Sequence, residues 1–214
     1  PATIHLKDYR PAPYSIGELS LNFSLEPRTT RVTSRMDIKP NPASAEKNAA
    51  LVFSGEKLKL IGVTLDGKKL EAPAFLLTDH ELTIPAPPTS QFILEIETEC
   101  DPAGNTALSG LYQSNGVFCT QCEAEGFRRI TYFYDRPDVM TRYTVRMEAD
   151  KASCPVLLSN GNCGETGDIA GTGRHFAVWH DPHPKPSYLF ALVAGELAGV
   201  HDSFTTMSGR KVQL

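Results

Sequence analysis

Leu19-Ser20-Leu21-Asn22-Phe23-Ser24-Leu25 places an apolar side chain at every second position. Successive side chains of an extended chain point to opposite faces, so this run reads as a strand with one buried face. An amphipathic helix would space its apolar residues three and four apart, and this run does not. Pro27 ends the strand, and Pro11, Pro13 and Tyr14 form an extended lead-in to it. Downstream, Val32, Met36 and Ile38 repeat the period of two, with Arg31, Thr33, Arg35 and Asp37 facing outward.

The same signal continues along the chain. Pro40 and Pro42 open a loop through Lys47, and Leu51 to Phe53 is a short strand. Leu58 to Leu65 turns back at Asp66-Gly67, a pair suited to a tight hairpin because glycine adopts positive φ without steric cost. Phe75 to Leu77 and Leu82 to Ile84 flank a turn at Asp79-His80, and Phe92, Leu94 and Ile96 alternate with Ile93, Glu95 and Glu97. After a charged insert, Tyr143, Val145 and Met147 alternate again. Val156 to Leu158 ends at the turn Asn160-Gly161, and Gly164 to Gly173 reads as a flexible glycine-rich turn. Phe176 and Val178 form a strand before the rigid loop His180 to Pro186. Tyr188 to Ala194 is apolar throughout, fitting a strand covered on both faces or a short buried helix. Phe204 to Thr206 and Lys211 to Leu214 form a hairpin whose second strand is cut short, as at a domain boundary. Short strands with turn signals roughly every 8–12 residues predict an all-β sandwich or barrel. No repeat, low-complexity segment or interior linker divides the chain, which reads as one β domain over residues 1–214.

Composition sets outer limits. The chain has 214 residues, 41% hydrophobic and 21% charged, enough to bury a sizeable core. A net charge of −4 gives no reason to expect a nucleic-acid partner. No run of about 18 apolar residues marks a membrane span. Pro1 to Arg10 is polar and lacks the apolar centre of a signal peptide. Five cysteines cannot all pair within the chain, which favours a reducing, cytoplasmic location.

Chemically capable side chains concentrate between Cys119 and Arg142. Cys119 and Cys122 have C-x-x-C spacing, half of a zinc site, but Cys100, Cys154 and Cys163 supply no second pair. A redox C-x-x-C belongs in a strand-to-helix setting, so two packed thiols is the favoured reading. His180 and His183 share a proline-rich loop unsuited to rigid metal binding, with His175 five residues earlier. His80-Glu81-Leu82-Thr83-Ile84 approaches the H-E-x-x-H motif but carries Ile84 in place of the second histidine, and it alternates like a strand. No G-x-S-x-G and no G-x-x-x-x-G-K occurs. These residues contain no complete catalytic or metal-binding apparatus. Phe127 to Tyr134 reads as a short helix limited by Pro137. On an extended segment Gln121, Glu123 and Glu125 would share one side and could hold a cationic group such as a free α-amine. The alternative is a solvated turn.

The run Cys119-Thr120-Gln121-Cys122-Glu123-Ala124-Glu125-Gly126-Phe127-Arg128-Arg129-Ile130-Thr131-Tyr132-Phe133-Tyr134-Asp135-Arg136-Pro137-Asp138-Val139 resembles the N-terminal domain of bacterial aminopeptidase N, a zinc metallopeptidase of the gluzincin type. Asp8 to Tyr14, Asn105 to Ser114, Leu157 to Asn162 and Asp181 to Gly195 match further segments in the same order. The resemblance covers essentially the whole chain. It implies a saddle-shaped β-sandwich of many short antiparallel strands that precedes a thermolysin-like catalytic domain. In that family the zinc ligands and general base lie on a downstream H-E-x-x-H helix, and a downstream G-x-M-E-N segment grips the peptide. Met147-Glu148-Ala149 is not that segment. The resemblance therefore implies the first domain alone, inactive by itself, with zinc in the full-length parent and neither catalytic nor metal residues here. It assigns Gln121 to the side of the cleft that meets the first side chain. It assigns Glu123 to the substrate's free amine, and it makes Glu125 a structural neighbour. Peptide substrates and the catalytic domain of the same polypeptide are the implied partners. The alternatives are a free-standing β-sandwich that binds a peptide or protein, and a small cysteine-dependent metal or redox protein.

Overall fold

The computed structural model describes residues 5–214, so the first four residues of the polar start lie outside the described residues. Its strands, in chain order, are β1 (Tyr14–Ser24), β2 (Thr30–Pro40), β3 (Leu51–Ser54), β4 (Lys59–Leu65), β5 (Lys68–Lys69), β6 (Leu76–Leu77), β7 (Glu81–Ile84), β8 (Phe92–Cys100) and β9 (Gly110–Ser114). There follow β10 (Val117–Gln121), β11 (Thr141–Asp150), β12 (Val156–Ser159), β13 (Asn162–Ile169), β14 (Arg174–Lys185), β15 (Leu192–Gly195), β16 (Ser203–Thr205) and β17 (Lys211–Gln213). Eight strands form one sheet in the order β13-β14-β11-β1-β2-β8-β4-β5. A second sheet runs β12-β15-β10-β9, a third runs β3-β7-β6, and β16 pairs with β17 as a separate hairpin. The all-β expectation holds.

β1 sits at the centre of the large sheet, and its period of two is the burial pattern: Leu19, Leu21 and Phe23 are buried. A register shift between Ile16 and Glu18 inserts one extra residue, which lets Ile16 and Leu19, three apart, face the same core. β1 is antiparallel to β2 but parallel to β11, with Leu19 opposite Tyr143 and Phe23 opposite Met147. Most strand pairs are antiparallel, as expected, and the β1–β11 pair is parallel. Parallel neighbours need a long crossover, and here the crossover contains β9 and β10 of the second sheet and all of the third.

The outward face of the large sheet carries cross-strand ion pairs. Arg31 meets Glu97 at 2.7 Å and Glu99 at 3.1 Å, and Arg35 meets Glu95 at 3.2 Å. The buried polar side chains of this sheet include Thr30, Ser34, Thr98 and Thr141, all fully buried. Two of these hydroxyls catch the loop after β10. Ser34 Oγ lies 2.9 Å from Thr131 Oγ1, and Thr98 Oγ1 donates to the Ile130 carbonyl at 3.0 Å.

That loop departs most from the sequence reading. The expected helix over 127–134 is a single 3-10 turn, Phe127–Arg129, and the chain is extended by Phe133, which forms a bridge with Ser54. The reason is the three directions in which its aromatic side chains are buried. Phe127 packs edge-on against Tyr143 and Phe190, and also against Phe133 at 5.2 Å, while Tyr134 packs on Phe53 at 4.9 Å. One helix face could not reach the large sheet and the third sheet together. Each such ring, buried, is worth about 1.5–3 kcal/mol, against about 0.5–1.5 kcal/mol for one helical hydrogen bond.

Two further corrections concern the region after β11. The glycine-rich stretch expected to be a flexible turn is mostly strand β13, and the expected rigid loop from His180 is the continuation of β14 to Lys185. Gly164 and Gly167 permit close packing across this pair, because a Cβ there would lie 3.1 Å from the His180 and Phe176 rings respectively. Pro182 and Pro184 fall where the β11–β14 ladder shifts register, between Thr141 and Tyr143, so their missing N–H groups cost little. Tyr188 to Ala194 divides into a 3-10 turn at Ser187–Leu189 and strand β15. Among the described residues, no helix is long and apolar enough to cross a membrane.

Candidate functional site

β10 lies between β9 and β15 and ends at Gln121, which pairs with Gly110. Cys122 then turns inward and is 2% exposed. The Gly126 N–H donates to the Cys122 carbonyl at 2.9 Å, closing a turn over residues 122–126. Glycine is required at its base: a Cβ on Gly126 would lie 2.3 Å from the Gln121 carbonyl oxygen and 2.9 Å from the Gly110 nitrogen. Glu123, Ala124 and Glu125 are left exposed at the tip, and the Glu123–Ala124 peptide bond is cis. The three polar residues therefore do not alternate along one extended segment, as the spacing suggested. Gln121 ends a strand, and the two glutamates occupy the turn that follows. Gln121 still reaches the turn, because its Nε2 donates to the Glu123 carbonyl at 3.2 Å.

The turn divides its two carboxylates. Glu125 Oε2 accepts an ion pair from Arg128 Nη1 at 3.2 Å, whereas Glu123 forms no ion pair among the described residues. Arg128 is held from behind by Asp135, whose side chain is 1% exposed. Asp135 Oδ2 accepts from Arg128 Nε at 3.0 Å and from the Arg128 backbone N–H at 3.1 Å, and Asp135 Oδ1 accepts from Ser187 Oγ at 2.6 Å. The next residue, Arg129, pairs with Glu56, and the Glu56 N–H donates to the Arg128 carbonyl at 2.9 Å. Spacing revealed neither the Arg128–Asp135 contact nor Ser187. The usable signal was only that the insert is rich in both charges.

The other candidate residues are dispersed. Cys119 faces Val193 and Tyr112 across neighbouring strands and is half-buried, while Cys122 enters the core. Burial, with the nearby Asp135 carboxylate as a lesser cause, pushes the Cys122 thiol up to about 12. That is the opposite of a thiol prepared to ligate metal or attack a disulfide. His175 Nε2 lies 2.7 Å from the Cys154 carbonyl and must donate to it, and His180 Nδ1 lies 3.2 Å from Thr144 Oγ1. His80 sits in the turn before β7, and Met147 to Ala149 lie within β11. Among the described residues, no three histidine, cysteine, aspartate or glutamate side chains converge as a metal site. A concavity of about 290 Å³ between Lys57, Asp101, Asn105 and Arg129 adjoins the turn but is not lined by Gln121 or Glu123. The candidate site is an exposed turn at the end of β10.

Comparison with known proteins fits this geometry. The family described as the peptidase M1 N-terminal domain matches residues 10–189. The chain is 52% identical to aminopeptidase N of Caulobacter vibrioides and 46% identical to that of Escherichia coli, in each case over 100% of this chain and 24% of the relative. Among solved structures, Legionella pneumophila aminopeptidase A in complex with aspartic acid superposes with a TM-score of 0.91 at 34% identity, covering 97% of this chain and 24% of that one. The M1 zinc metallopeptidase of Deinococcus radiodurans, bound to a Tyr-Ser-Ala substrate, shares the fold at a TM-score of 0.75 and 14% identity. The chain thus spans about a quarter of the length of the curated relatives it matches, and it belongs to the peptidase M1 N-terminal domain family.

Proposed function

We propose that this domain forms one wall of the substrate cleft of a zinc-dependent aminopeptidase, with Glu123 binding the free amine of the peptide and Gln121 meeting its first side chain. The observation that carries this reading is the division of charge on the turn: Glu125 is neutralised by Arg128, and Glu123 is exposed and unpaired among the described residues. A protonated α-amine offers three N–H donors, and an otherwise unpaired carboxylate on a fixed turn is its natural partner. The exposed turn fits a cleft completed by a second wall, supplied by the remainder of a polypeptide about four times as long, as in the relatives.

Zinc does not fit the residues of this domain. Its thiols are buried or dispersed, and no donor set of three converges among the described residues. The reading therefore places the metal and the general base in the rest of the polypeptide and gives this domain recognition alone. Five unpaired thiols favour a reducing, cytoplasmic setting.

The test is Glu123→Gln in the full-length polypeptide, which preserves shape and removes charge. Charge-assisted hydrogen bonds are worth roughly 1.5–3 kcal/mol, so kcat/KM on an aminoacyl amide should fall by about one to two orders of magnitude. Zinc content should not change. Wild-type kcat/KM in this variant would leave the turn as scaffold and overturn the amine-anchor role of Glu123.

A further inference from the structure

We infer that Asp135 is a positioning residue for the amine site, acting through Arg128 to fix the turn that carries Glu123. The inference rests on the reading of Glu123 as the amine anchor and extends it to residues that never meet substrate.

A buried carboxylate is costly unless every oxygen is satisfied. Asp135 meets that demand with two donors from Arg128 and one from Ser187, a residue 52 positions away beside β15. Arg128 is thereby held at its backbone and at Nε, and a further weak donation runs from Nη2 to the Asp135 carbonyl at 3.4 Å. Its own carbonyl is held by the Glu56 N–H. Its Nη1 pairs with Glu125 at 3.2 Å. The arrangement runs from the core to the turn: Ser187, Asp135, Arg128, Glu125.

An exposed ion pair between two mobile side chains contributes little, because both must be ordered to form it. Here the Arg128 side chain is only 23% exposed and already immobilised, so only Glu125 remains to be ordered. The pair can then restrain the turn two residues from Glu123. It also prevents Glu125 from competing with Glu123 for the amine. A planar guanidinium suits this role, since it can serve Asp135 and Glu125 at once, whereas an ammonium is a single point donor.

The test uses the full-length polypeptide, an alanyl chromogenic amide as substrate, and the variants Asp135→Asn and Arg128→Lys, each alone and combined with Glu123→Gln. Small misplacements of a binding group cost on the order of tenfold to a hundredfold. Both single variants should raise KM about tenfold with kcat changed far less, well below the melting temperature and at full zinc content. In the Glu123→Gln background neither should raise KM further, because the contact they position is gone. A lowered melting temperature with unchanged KM would make Asp135 merely structural and overturn the inference. So would KM effects that simply add in the double variants. If Asp135→Asn does not fold, Arg128→Lys decides alone. Failure of Glu123→Gln itself to alter kcat/KM would instead sink the anchor reading, and this inference with it.

Discussion

Ser54 and Phe133 exchange two backbone hydrogen bonds, Ser54 N–H to the Phe133 carbonyl at 3.0 Å and Phe133 N–H to the Ser54 carbonyl at 3.1 Å. This single antiparallel rung attaches the aromatic loop to the third sheet, while Ser34 and Thr98 hold the same loop from the large sheet. The loop is therefore clamped between two sheets immediately after the turn that carries Glu123. A turn on such a support is restrained by the fold, not by its own few hydrogen bonds.

Thr98→Val tests the clamp. Valine matches threonine in shape but cannot donate to the Ile130 carbonyl, which then loses that hydrogen bond inside the core. Leaving a buried acceptor unsatisfied costs about 1–3 kcal/mol. For a domain of this size the melting temperature should fall by roughly 2–4 °C per kcal/mol. Calorimetry of the domain would check this, and a variant as stable as the parent would show that the hydroxyl is dispensable.

Gly126→Ala tests the base of the turn. The added methyl group meets backbone, the Gln121 carbonyl oxygen at 2.3 Å and the Gly110 nitrogen at 2.9 Å, and neither can swing aside like a side chain. Overpacking of this kind typically costs about 1–3 kcal/mol. Because the clash lies at the root of the turn, kcat/KM of the full-length polypeptide should fall as well. Urea denaturation and steady-state kinetics on the same preparation would measure both effects.

Alkaline pH should destabilise the domain. Burial pushes the Cys100 and Cys122 thiols from their ordinary 9.0 up to about 12. Well below pH 9.0 both thiols are protonated in the folded and unfolded states, and stability is unaffected. Between about 9 and 12 the unfolded chain releases those protons and the folded chain retains them, so stability falls as pH rises, by about 1.4 kcal/mol per pH unit per thiol. Tyr134 and Tyr143, also raised by burial, add to the loss at higher pH. Cys122→Ser should make the fall of melting temperature between pH 9 and 10 shallower. An unchanged pH dependence would mean that Cys122 ionises freely in the folded domain.

What could be read from the sequence, and what could not, follows from the range of each interaction. Leu19 to Phe23 and Phe92 to Ile96 announced their buried faces because alternation is a local property of a strand. The parallel pairing of β1 with β11 was hidden, since alternation carries no record of partner or direction. Pro182 and Pro184 concealed a strand because they occupy a register shift, where a missing N–H is tolerated. Gly164 and Gly167 concealed another because their role is to admit the rings of His180 and Phe176. At the site, the chemistry of Gln121 and Glu123 was legible as residue type. The difference between Glu123 and Glu125 was not, because it depends on Arg128, and Arg128 depends on Asp135 and a serine 52 residues further on.

Gln121 provides the last test. One N–H of its amide is engaged with the Glu123 carbonyl at 3.2 Å, which leaves the amide oxygen and the second N–H as the groups that can face a substrate. Gln121→Ala removes both functions at once and would mix them. Gln121→Glu separates them: the side-chain length is kept, but an ionised carboxylate cannot donate to the Glu123 carbonyl and places a negative charge beside Glu123. A second carboxylate at this position should favour peptides whose first side chain is cationic over those whose first side chain is apolar. A charge-assisted contact worth roughly 1.5–3 kcal/mol would shift the ratio of kcat/KM for an arginyl amide over a leucyl amide by about tenfold or more. Gln121→Ala should lower both values while moving their ratio far less. Kinetics of both amides on the full-length variants, with zinc content measured alongside, would decide. If Gln121→Glu leaves the ratio unchanged, Gln121 does not face the first side chain, and its role is limited to holding the turn.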